Sequence, residues 1–98
     1  MPGLDWLTAR PVAHRGLHDA ATGIIENTPS AFEAACAANF AIECDVQLSA
    51  DGEAMVFHDS NLERLTLAEG SIAALTSHEL KRIDFKNTTD RMATLSEL

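Results

Sequence analysis

Hydrophobic residues along this chain fall in short runs, and several of the runs end on an ionisable side chain. Pro11-Val12-Ala13 closes on His14. The pattern predicts a short buried strand over Pro11 to His14, with Arg15 and Gly16 opening the polar loop that leaves it. Thr28 followed by Pro29 predicts a helix start, an N-cap and then a proline where no backbone N–H is needed. Phe32, Ala35, Cys36 and Phe40 follow at near-helical spacing, and Asn39 is a good left-handed stop. The next run, Ile42 to Leu48, alternates. Ile42, Cys44, Val46 and Leu48 occupy one face of a predicted strand and can pack against helices, while Glu43 and Asp45 share the other.

Asp51-Gly52 is a tight-turn signal, so Ala54 to Asp59 is expected to fold back as a strand that delivers His58 towards the ends of its neighbours. From Ser60 to Arg91 the chain is more polar. It carries one helical signal, a capping box of Thr76 and Glu79 ahead of Leu80 and Ile83, and reads as an insertion on one end of the scaffold. Its charged residues Glu63, Arg64, Glu69, Glu79, Lys81 and Arg82 read as a solvated face without function. Thr94 to Glu97 is a second capping-box pattern, and the helix it announces is expected to continue past Leu98, with these residues forming the N-terminal part of a longer chain.

Composition narrows the function. The chain has 98 residues, 46% of them hydrophobic, which suits one small domain with a modest core. Fifteen acidic residues against seven basic ones give a net charge of −8, which opposes binding to nucleic acid or to an anionic membrane. Cys36 and Cys44 are too few for a disulfide framework and are expected to be reduced, buried thiols. No signal-peptide pattern and no apolar stretch of membrane-spanning length is visible, so the expected location is cytoplasmic.

His14, Glu43, Asp45 and His58 all end predicted strands, and together they suggest a metal-assisted phosphodiester site. Glu43 and Asp45, two apart in a strand, can share one cation. His18 and His78 stand in no comparable setting and read as ordinary histidines.

The sequence resembles the glycerophosphodiester phosphodiesterase family. The resemblance lies in His14-Arg15-Gly16, Glu26-Asn27-Thr28-Pro29-Ser30-Ala31-Phe32, Glu43-Cys44-Asp45-Val46, Asp51-Gly52 and His58-Asp59, in the family's order. Leu62 to Thr66 and Ala93-Thr94-Leu95 look like later landmarks. The resemblance implies an α/β fold, a TIM-type barrel with a small insertion after the second strand, here about residues 60–92. Such a barrel needs about 250 residues and eight strands. Residues 1–98 would supply only its N-terminal portion and could not close it.

The same resemblance implies that Glu43 and Asp45 bind a divalent ion, magnesium or calcium, with a third carboxylate from a later strand. It makes Arg15 the phosphate-binding residue and His14 and His58 a general acid and base pair, which of them is which being left open. Glu26 and Asn27 are possible site-lining residues, and Asp59 is expected to orient a neighbour rather than bind the ion. The implied substrate is a small glycerophosphodiester, split to an alcohol and glycerol 3-phosphate. A phospholipase of C or D type and an inactive fragment acting as an interaction module are the rival readings. Self-association through open sheet edges is a further expectation.

Overall fold

The computed structural model describes residues 12–97; Pro11 of the expected first strand lies outside them, as does Leu98. Strand β1 (Val12–His14), helix α1 (Pro29–Ala37) and strand β2 (Ala41–Glu43) form a parallel β-α-β unit, with Val12 opposite Ala41 and His14 opposite Glu43. The register therefore sets His14 and Glu43 side by side at the C-terminal ends of both strands. Helix α1 starts where the sequence indicates. Thr28 Oγ1 accepts from the Ala31 N–H and donates to the Ile25 carbonyl, and Pro29 takes the first turn. Asn39, at φ 60°, ends it, and the Phe40 N–H bonds back to the Ala35 carbonyl.

Gly16 fixes how the loop leaving β1 meets this helix. Its φ is +79°, and a Cβ there would lie 2.8 Å from the Ala31 Cβ and 3.0 Å from Phe32 Cδ1. No larger residue fits that approach without displacing α1.

The predicted single strand from Ile42 to Leu48 is broken. β2 ends at Glu43, and β3 (Val46–Leu48) turns to pair antiparallel with β4 (Ala54–Val56). Between them the Asp45 N–H bonds to Asn27 Oδ1 instead of to a strand, while the Asp45 carbonyl accepts from the Phe57 N–H. The β3–β4 hairpin turns at Asp51-Gly52 as expected, with Gly52 at φ 80° and the Ser49 N–H bonded to the Glu53 carbonyl.

Burial corrects three expectations. Ala13 is buried, but Val12 is 52% exposed, so β1 is not a buried strand among the described residues. Ile42, Val46 and Leu48, expected to pack, are exposed, Leu48 to 64%. Cys36 is exposed and Cys44 half-buried; both are free thiols, but neither is a core residue. The neighbouring Glu43 and Asp45 charges, with desolvation as the larger cause, push the Cys44 thiol up.

Much of the core comes instead from the segment that looks polar in sequence. Met55, Phe57, Leu62, Ile72, Leu80, Phe85 and Met92 form one buried cluster, with the Phe57 and Phe85 rings stacked at 6.1 Å. Helix α2 (Ser77–Leu80) carries the predicted capping box, the Glu79 N–H to Thr76 Oγ1 and the Thr76 N–H to Glu79 Oε1. At the other end, Thr94 pairs with Met55 across β4, and its N–H bonds to Glu97 Oε1, half of the second box. Among the described residues no helix is long and apolar enough to cross a membrane.

Candidate active site

The loops after β1, before α1, after β2 and after β4 bring charged side chains into one continuous series. His14 Nε2 stands 3.6 Å from Glu43 Oε1, which also accepts the Arg15 backbone N–H at 3.2 Å. Arg15 extends from a left-handed backbone, φ 58°, and donates from Nη1 to Glu26 Oε2 at 3.0 Å. Its Nε lies 3.3 Å from Asp45 Oδ2, but the alignment falls short of a hydrogen bond and the atom is buried. That arginine thus spans two acidic groups, and its Nη2 makes no hydrogen bond among the described residues.

Asn27 anchors Asp45. It is 1% exposed, at φ 56°, and its amide grips Asp45 twice: Oδ1 accepts from the Asp45 N–H at 3.2 Å and Nδ2 donates to Asp45 Oδ2 at 3.3 Å. The Asn27 N–H is in turn held by the Arg15 carbonyl at 2.8 Å. Glu43 and Asp45 therefore meet around Arg15 although the strand between them is interrupted. The break replaces simple alternation with a side-chain clamp.

On the β4 side, His58 Nδ1 lies 2.8 Å from Asp59 Oδ1, and Gln47 Nε2 donates to the His58 carbonyl at 2.7 Å. Asp59 is thus in hydrogen-bond contact with the neighbour it was expected to orient. Arg64 closes the series. Its Nη1 and Nη2 donate to the two oxygens of Glu26 at 2.9 and 3.0 Å, while Nε and Nη2 donate to Asp59 at 2.8 and 3.1 Å. Arg64, which the sequence places on a solvated face, is also tied into this series. Its side chain is 47% exposed, yet its head joins two acids that are 33 residues apart in sequence, Glu26 and Asp59.

These contacts set the charge states. Hydrogen bonds from Arg64 above all, then its charge and that of Arg15, outweigh the burial of Glu26 and lower its pKa. Asp59 is brought down to about 2, again chiefly by Arg64, with His58 assisting. The Arg64 guanidinium is pushed above its ordinary value by both acids. His18 and His78 are exposed and outside the series, as their sequence setting suggests.

The donor chemistry suits a hard cation. Glu26, Glu43, Asp45 and Asp59 outnumber Arg15 and Arg64, so with neutral imidazoles the cluster keeps an excess of negative charge. Glu43 Oε2 and Asp45 Oδ1 make no hydrogen bond among the described residues. No group of three or more potential metal ligands is assembled among those residues, and two carboxylates with water match the way magnesium is often held. An apolar cavity of about 740 Å³ lies between α1 and β2, lined by Phe32, Cys36, Ile42 and Cys44.

A β-α-β unit with its ionisable groups gathered at the C-terminal strand ends is the arrangement of a barrel enzyme's catalytic face. The Glycerophosphoryl diester phosphodiesterase family matches residues 14–98, and the chain belongs to that family. It is 39% identical over 74 residues to a glycerophosphodiester phosphodiesterase of Caldanaerobacter subterraneus subsp. tengcongensis, a match covering 74% of this chain and 29% of that protein. The glycerophosphoryl diester phosphodiesterase of Parabacteroides distasonis superposes with a TM-score of 0.80 at 30% identity, over 90% of this chain and 33% of that one. A phosphodiesterase of Oleispira antarctica, solved in complex with the product sn-glycerol-3-phosphate, gives 0.72 at 31% identity, over 91% and 38%. The fold is thus the family's TIM-type barrel, of which the described residues form a part, and the chain spans about a third of the structures it matches.

Proposed function

We propose that the complete protein hydrolyses small glycerophosphodiesters to an alcohol and glycerol 3-phosphate. The observation that carries this reading is the single charged series that runs from His14 to His58 and holds Glu43, Asp45 and Arg15 between them. Two relatively exposed imidazoles flank a carboxylate pair, which is the equipment for moving protons at a phosphodiester. The Oleispira phosphodiesterase, with glycerol 3-phosphate bound, supports the substrate class.

Each residue has a distinct task. Glu43 and Asp45 would hold magnesium or calcium, with any further ligands from water or from other parts of the barrel; when bound, the ion neutralises charge on the phosphoryl oxygens. Arg15 would present Nη2 to a phosphate oxygen while Glu26 holds its Nη1. Asp59 on Nδ1 of His58 favours the tautomer whose Nε2 carries a lone pair, suited to taking a proton from the attacking oxygen. His14 returns a proton to the departing alcohol as its P–O bond breaks. A cytoplasmic setting accords with the two free thiols.

In the complete enzyme, His14→Ala or His58→Ala is expected to lower turnover by about 100-fold or more with little change in substrate affinity. Near-normal turnover in either variant removes that histidine from the mechanism. Calorimetric titration with magnesium or calcium is expected to detect an ion that Glu43→Ala and Asp45→Ala each weaken. Equal affinity in the variants would overturn the assignment of the metal to this pair.

A further inference from the structure

We infer that Arg64 is a positioning residue, holding His58 in its working orientation through Asp59 and locking that half of the site to the half that carries Arg15. The inference rests on the reading of His58 as a proton-transfer group. Its geometric basis is independent of that reading.

Arg64 uses two edges of its guanidinium at once. One edge is bidentate to Glu26; the other reaches both oxygens of Asp59. Glu26 is 8% exposed and receives Arg15 as well, so Arg64 and Arg15 share one largely desolvated carboxylate. Asp59 then passes the constraint to His58 Nδ1 at 2.8 Å. The planar fork matters here. A lysine could meet one acid or the other, but a single ammonium cannot span both in a fixed geometry.

The backbone beneath Arg64 is well anchored. Leu62 and Thr66 on either side are buried, and Thr66 bonds twice to the Leu62 carbonyl, through its N–H at 3.1 Å and its hydroxyl at 2.7 Å. Arg64 therefore transmits the position of the buried cluster to the imidazole. The segment that reads as a polar insertion supplies a strut for the site.

The test is nitrogen-15 NMR of the histidine rings in the complete protein, comparing wild type, Arg64→Ala and Arg64→Lys. At a pH where the ring is neutral, wild-type His58 is expected in one tautomer with the proton on Nδ1. Both variants are expected to show averaged tautomers at His58, with His14 and the methyl signals of Leu62 and Ile72 unchanged. A folded variant that keeps the Nδ1–H tautomer overturns the inference; should Arg64→Ala fail to fold, Arg64→Lys alone decides. In the complete enzyme Arg64→Lys is expected to lower kcat about 10-fold or more with KM held within about 2-fold. An unchanged kcat, or a loss confined to KM, would also count against it. The ring spectra need no turnover, so failure of the hydrolase reading and failure of this one are told apart.

Discussion

At the scale of single residues, the acid pair depends on one buried asparagine. Asn27→Ala would lose both bonds to Asp45 and place alanine at φ 56°. The combined cost is expected to be about 2–4 kcal/mol, read from urea unfolding, from the lost bonds and the left-handed backbone. Asn27→Gly keeps the backbone free of that strain and should cost less; an equal cost would show that the amide carries the whole effect. Asp59 adds a pH dependence. Its carboxyl ordinarily titrates at 3.8 and is held at about 2 in the folded chain, chiefly by Arg64. A lowered folded value means that the stabilisation is complete above about pH 4 and is lost as the pH falls towards 2. Asp51, hydrogen-bonded by Ser49 and Ser77, is also held at about 2 and acts in the same window. Urea midpoints measured across this range should therefore fall, and Asp59→Asn should flatten part of the fall; an unaltered slope would contradict the Asp59 share. His14, Glu43, Asp45 and His58 each lie in a recognisable local run, which is why the sequence singles them out as candidates. The tie from Arg64 to Glu26 is not legible in that way, because 38 residues separate the two; the Leu62 to Thr66 landmark around Arg64 and the nearby Asp59 are the local signals that point to it.

Among the elements, local chemistry was readable and long-range pairing was not. The Thr28-Pro29 start, the Asn39 stop, the Asp51-Gly52 turn and the Thr76 capping box each depend on residues within a few positions, and each stands as the sequence indicates. The break after Glu43 escaped notice because Asn27, 18 residues upstream, imposes it. The buried cluster escaped for a different reason. Leu62, Ile72, Leu80 and Phe85 are joined through turns and isolated bridges, such as Asn61 to Ser71 and Thr66 to Phe85, so no helical or strand period advertises them. Leu62→Ala, at a fully buried position, is expected to cost about 2–5 kcal/mol. Chemical denaturation checks this, and a loss below about 1 kcal/mol would show that the cluster is not the stabilising core.

For the molecule as a whole, β1 and β2 form a two-stranded parallel sheet with no further strand against either edge among the described residues. Parallel sheets are normally covered on both faces, yet Val12 and Ile42 are exposed here. The isolated 98-residue chain is therefore expected to associate through these edges. Sedimentation velocity over a range of concentrations should reveal dimers or larger species, and Ile42→Lys should shift them towards monomer. A monomer at all concentrations, with slow amide exchange at Ala13 and Ile42, would exclude this association.

The buried cluster has a consequence for the order of events during synthesis. All its members lie between Met55 and Met92, whereas His14 and Arg15 leave the ribosome long before them. Contacts close in sequence form with little loop-closure cost, so the later segment can collapse on itself as soon as it emerges. Glu26, made earlier, has no Arg64 to grip until that collapse has set Arg64 in place. The half of the site that is made first is thus completed last, on a template supplied by the residues that follow it.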